Sequence, residues 1–180
     1  MKYEKIYILL TNTGTFFTRA IGIYTRAPYN HASISFDKGL REMYSFGRLK
    51  PRNPFLGGFV RERLDYGLYA LRKDTSCAVY ELTVTTDQLL SLRHAIAGFE
   101  SHKEQYSYSI LGLLGILLHR PITRRYAYFC SQFVATVLDK GGVQLFDKDP
   151  GLVTPEDFQK CEKLTLVYEA KLAEYQSRGS

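Results

Sequence analysis

Cys130 opens the clearest helical pattern in the chain. Cys130, Phe133, Val134, Val137 and Leu138 stand at positions 0, 3, 4, 7 and 8, and Gly141 with Gly142 supplies a stop after Lys140. A cysteine in the first turn of a helix meets unpaired N–H groups and the positive end of the helix dipole, and both lower a thiol pKa. The thiolate is the reactive form of cysteine, and the same N–H groups can receive the oxyanion that forms when it attacks a carbonyl. A buried, inert cysteine on an apolar helix face would show the same spacing, so position alone does not decide between the two.

A nucleophilic cysteine needs a base, and His31 is the candidate. It begins an alternating run in which Ala32, Ile34 and Phe36 fall on one side and His31, Ser33 and Ser35 on the other, the pattern of a half-buried strand. Its distance from Cys130 along the chain is no objection, since nucleophile and base meet in space. His94, His102 and His119 carry no metal-ligand spacing and read as surface or packing residues. A third group that orients the imidazole is sought on the strand after the hairpin, where Glu42 offers a carboxylate and Ser45 a hydroxyl on the alternate face. Both stay open.

The elements that must position these residues follow from pattern and punctuation. Lys5 to Thr11 reads as a buried strand and Phe16 to Tyr24 as a short helix. The strand from His31 turns at Asp37, Lys38 and Gly39 and returns over Glu42 to Phe46. Gly47 to Gly67, rich in Arg, Gly and Pro, reads as an irregular loop suited to substrate. Ala78 to Thr85 is a strand, and Thr86 or Asp87 is expected to cap the helix carrying Leu89, Leu90, Leu92, Ile96 and Phe99. Ile110 to Leu118, apolar all round, reads as a buried helix or an acyl-contacting edge. Thr154-Pro155-Glu156-Asp157 marks a second helix start, and Leu164 to Tyr168 a last strand.

Length and composition bound the rest. The 180 residues contain no repeat and no long linker, so residues 1–180 read as one domain. Fourteen Tyr and eleven Phe without Trp point to an interior or groove lined by rings. Three widely spaced cysteines argue against a disulfide framework and for a reducing compartment, and the apolar run Ile6 to Leu10 is too short for a secretory signal, so a cytoplasmic protein is expected. The net charge of +6 fits a solvated basic face or contact with an anionic membrane surface. No binding motif accompanies that charge to favour nucleic acid.

Two short motifs add a resemblance. Tyr29-Asn30-His31-Ala32-Ser33-Ile34, followed far downstream by Tyr128-Phe129-Cys130-Ser131-Gln132-Phe133-Val134, resembles the circularly permuted branch of the NlpC-type papain-like superfamily, which includes YiiX-like proteins and relatives of lecithin:retinol acyltransferase. The likeness runs from Ile6 through Phe158, and the order His, polar residue, Cys fits the permutation. The resemblance implies an α+β fold with the cysteine helix packed on an antiparallel sheet. It also implies thiol hydrolase or acyltransferase chemistry on an amide, ester or thioester of a small peptide or acyl lipid, with no metal or organic cofactor. Cys130 would be the nucleophile, His31 the base, and the third polar residue would lie on the Glu42 to Ser45 strand. Ser45 departs from the His, Glu, Asn or Gln often found there, which leaves Glu42 or an incomplete triad.

Overall fold

A computed structural model describes residues 2–12, 28–50, 53–109, 120 and 126–178. The fold is α+β. Its centre is a six-stranded antiparallel sheet in the order β4-β3-β2-β1-β5-β8, built from β1 (Tyr3–Asn12), β2 (His31–Ser35), β3 (Met43–Lys50), β4 (Asn53–Glu62), β5 (Ser76–Thr85) and β8 (Thr165–Lys171). Two short strands, β6 (Ser107–Tyr108) and β7 (Ala127–Tyr128), pair in parallel beside it.

Among the described residues, the α-helices are α1 (Gly67–Leu71), α2 (Thr86–Ser101), α3 (Cys130–Lys140), α4 (Pro155–Gln159) and α5 (Leu172–Arg178). Alternation along β1 sends Ile6, Ile8 and Leu10 to one face of the sheet and Tyr7 and Leu9 to the other, and both faces are covered. The first face packs on α2 and α3 through Leu92, Ile96, Phe99, Phe133, Val134 and Val137. The second is closed by Leu64, Tyr69, Leu172 and Tyr175, from α1, α5 and the chain just before α1.

The aromatic residues form the interior that their number suggests. Phe46 of β3 meets Phe133, Tyr128, Tyr106 and Phe99 with ring centroids 5.1, 5.2, 5.7 and 6.0 Å away. Most of these rings meet edge to face or tilted, the arrangement their quadrupoles favour. This cluster wedges α3 against β3 and so fixes where the helix begins.

Several local expectations differ from the structure. Thr85, not Thr86 or Asp87, caps α2: its hydroxyl accepts the Gln88 N–H, while the Gln88 side chain accepts the Thr85 N–H. The stretch expected to be a loop over residues 47–67 contains the end of β3, the whole of β4 and the start of α1. Pro54, Gly57 and Gly58 mask β4 in the sequence, and the sheet accepts them because β4 lies at its edge. The returning strand starts at Met43, so Glu42 precedes it. The helix expected over residues 16–24, the apolar run over residues 110–118 and His119 lie outside the described residues. Among the described residues, no helix is long and apolar enough to cross a membrane.

Candidate active site

The start of α3 is held from two sides. The Gln132 side chain reaches back to the Phe129 N–H at 3.4 Å, and the Ser131 hydroxyl donates to the Val153 carbonyl at 2.7 Å, one residue before the Thr154 cap of α4. Cys130 follows Phe129 directly and is 4 % exposed. The N–H groups of a first helical turn have no acceptor within the helix. Here the Ser131 N–H interacts with the Cys130 sulfur.

The strands supply the other contacts. Phe36 donates its N–H to the Glu42 carbonyl at 3.1 Å. Alternate N–H groups along an antiparallel strand point to the same neighbour, so that of Ala32 also points toward β3. The β2–β3 ladder holds Ile34 opposite Tyr44 and Ser35 opposite Met43 and registers no pair at Ala32, whose N–H interacts with the Cys130 sulfur. The beginning of α3 thus meets the beginning of β2, and there the His31 side chain and the Cys130 thiol interact. The sulfur and the imidazole, ninety-nine positions apart in sequence, are brought together.

The other side of the imidazole belongs to Glu62. His31 Nε2 lies 2.9 Å from Glu62 Oε1. Glu62 is the last residue of β4 and stands opposite Met43, so its carboxylate must reach across β3 to β2. The residues of β3 on that path are small. Ser45 donates to Glu62 Oε1 at 2.8 Å, and a Cβ placed on Gly47 would lie 3.7 Å from the same oxygen. On Oε2, Ser33 donates at 2.6 Å and Tyr69 at 3.3 Å. With four partners on its two oxygens, the carboxylate is filled as an acceptor.

Charge follows from this geometry. Burial works against the imidazolium of His31, but Glu62 and the thiolate on either side outweigh it and raise the pKa to about 10. Burial likewise opposes ionisation of Cys130, yet His31 and the N–H groups of Ala32 and Ser131 hold the thiol below its ordinary value. Glu62 is also held below the usual carboxylate range: His31 and the hydroxyls of Ser33 and Ser45 overcome its burial. The three groups therefore favour a thiolate, an imidazolium and a carboxylate in line. Cys77 provides a contrast within the same chain, since burial pushes its thiol up to about 12.

The two residues expected to orient the imidazole stand elsewhere or play a lesser part. Glu42 faces out from the start of β3 and forms a two-pronged ion pair with Arg93, at 2.6 and 2.9 Å, so it does not reach His31. Ser45 touches the site through Glu62 and not through the histidine. The carboxylate on His31 is Glu62, from the strand that glycine and proline concealed. A signal existed: Phe59-Val60-Arg61-Glu62 alternates and ends in a carboxylate after a hairpin's length of chain. His94 and His102 are exposed on and just after α2, in keeping with surface residues. Among the described residues, no group of three or more His, Cys, Asp or Glu could hold a metal ion.

Such an arrangement is equipped for nucleophilic attack by sulfur, with an imidazolium ready to give a proton to a leaving group and helix N–H groups beside the sulfur. Comparisons with models of known protein families and with curated proteins gave no match to this chain.

Proposed function

We propose that this chain is a thiol hydrolase or acyltransferase acting on an amide, ester or thioester, with a papain-like fold of the permuted NlpC type. The observation that carries the reading is the line Cys130, His31, Glu62: a thiol at a helix start, interacting with an imidazole whose Nε2 is held by a buried carboxylate. The order His31, Glu62, Cys130 along the chain and the packing of the cysteine helix on an antiparallel sheet support the fold assignment.

In the proposed cycle the Cys130 thiolate adds to the substrate carbonyl carbon, and the oxygen takes up the negative charge near the first-turn N–H groups. The carbonyl reforms as the bond to the leaving group breaks, and the leaving amine, alcohol or thiol takes the proton from His31. An acyl thioester on Cys130 and a neutral His31 remain. His31 then removes a proton from water or another acceptor as that acceptor attacks the thioester, which restores the thiolate and the imidazolium. Glu62 keeps the ring turned and stabilises its charged form. This chemistry calls for no metal or organic cofactor. The substrate class is a small peptide, an amide or an acyl lipid, and the net charge of +6 suits brief contact with an anionic membrane surface of a cytoplasmic enzyme.

The test is to mix the protein with a panel of activated esters, thioesters and amides, quench in acid and map the mass added. An acyl group on the Cys130 peptide, lost in Cys130→Ala and not accumulated or resolved normally in His31→Ala, is the expected result. No adduct and no turnover across the panel would overturn the reading. A second reading, a binding module of the same fold without catalysis, is favoured by one observation, the 4 % exposure of Cys130. It predicts affinity for a peptide or lipid that Cys130→Ala leaves intact.

A further inference from the structure

Glu62 reaches His31 from two strands away, so something must hold so long a side chain in one rotamer. Two of the hydroxyls that do so come from the neighbouring strands, Ser45 on β3 and Ser33 on β2. The third comes from outside the sheet. Gly67, with φ +68, turns the chain in a left-handed conformation suited to glycine and starts α1, which lays the Tyr69 ring on the second face of the sheet. The Tyr69 hydroxyl lies 3.3 Å from Glu62 Oε2 and 3.5 Å from Thr11 Oγ1. Thr11 is wholly buried at the end of β1, directly opposite His31 in the β1–β2 register.

A tyrosyl hydroxyl has one proton. Because the ionised Glu62 can only accept, Tyr69 spends that proton on Glu62, and Thr11 supplies its own to the tyrosine oxygen. The hydrogen bonds then converge on Glu62: Thr11 donates to Tyr69 and Tyr69 to Glu62 on one side, while His31 donates its Nε2–H to Glu62 on the other. We propose that Tyr69 is a positioning residue of this site: its hydroxyl, oriented by Thr11, locks Glu62 in the rotamer that crosses β3 and so keeps the His31 ring facing Cys130. The proposal rests on the thiolate reading above and adds to it a residue that touches neither substrate nor sulfur.

The test is the pH dependence of Cys130 alkylation by iodoacetamide, read by mass mapping in the wild type, Tyr69→Phe and Thr11→Val. Tyr69→Phe keeps the ring in its apolar seat and removes only the hydroxyl. With the rotamer loosened, alkylation at pH 6 should fall about tenfold, the size expected when a hydrogen bond to a charged group is lost, and the rate at pH 9.5 should hold. Thr11→Val, nearly isosteric, should act in the same direction by about threefold, since one bond of a chain strengthens the next. A role in folding alone would change the melting temperature without moving the pH profile. If Tyr69→Phe does not fold, Thr11→Val decides, and an unmoved profile overturns the proposal. A depressed wild-type profile that both variants retain overturns the role of Tyr69 alone. A wild-type profile centred near 8.5, the free-thiol reference, overturns the thiolate reading and this inference with it.

Discussion

Replacing Glu62 by Gln keeps the size of the side chain and removes its charge, which isolates what the carboxylate does for His31. The two groups meet at 2.9 Å with side chains only 13 % and 16 % exposed, so solvent screens them little. Taking charge centres about 4 Å apart and an effective dielectric constant of about 20, their attraction is on the order of 4 kcal/mol. At about 1.36 kcal/mol per pH unit, losing it lowers the His31 pKa by roughly three units. His31 is raised to about 10 with Glu62 present, so Glu62→Gln should bring it back near its ordinary value of 6.5. The sulfur then loses its cationic partner over most of the neutral range, and the neutral thiol–imidazole form takes over. The pH profile of Cys130 ionisation moves toward that of a free thiol: its midpoint rises, and the rate at alkaline pH, where the thiolate forms without a cationic partner, holds. Stopped-flow alkylation of Cys130 from pH 4 to 11, with thiolate absorbance followed in parallel, measures the midpoint. Profiles of Glu62→Gln and wild type that superimpose would refute the reasoning, because a charge this close cannot vanish silently.

The same pair sets a stability window. His31, raised, stabilises the fold fully below 6.5 and loses this as pH climbs toward 10, while Glu62, lowered, contributes fully above 4.5 and loses it as pH falls. The melting-temperature deficit of Glu62→Gln should therefore be largest between pH 4.5 and 6.5 and shrink on both sides. Glu42→Gln breaks the ion pair with Arg93, whose side chains are 29 % and 43 % exposed; it should cost less than about 1 kcal/mol in denaturant unfolding and leave Cys130 reactivity unchanged. Gly141→Ala would place a Cβ 2.4 Å from Leu92 Cδ2 in a fully buried contact between α3 and α2, and a loss of about 1–3 kcal/mol in unfolding free energy is expected.

The sequence was most legible where periodicity and punctuation agree. The helix from Cys130 to Lys140 has the bounds that its apolar spacing and trailing glycines predict, and the Thr154 cap with Pro155 behind it stands as its motif implies. The strand from His31 reads correctly because its two faces differ so sharply in polarity. Two kinds of information stayed hidden. One is the identity of β4: glycine and proline argue against a strand, and only the sheet order shows that it occupies an edge where they are tolerated. The other is the reach of Glu62. Reasoning from adjacency put the orienting group on β3, next to β2, where Ser45 and Gly47 stand. These two small residues instead leave room for a carboxylate from one strand farther out, and that accommodation depends on three strands at once. Glu42 had the right chemistry, but Arg93, fifty-one residues away on α2, claims it.

The most direct test of the account is the apparent pKa of Cys130 in the folded wild-type protein, obtained by alkylating all three cysteines across pH and quantifying each by mass mapping. The account predicts a Cys130 midpoint well below about 8.5, with Cys77, pushed up to about 12 by burial, unreactive over the same range. A Cys130 that stays unlabelled until the pH is alkaline, or that labels only as the protein unfolds alongside Cys77, would contradict it.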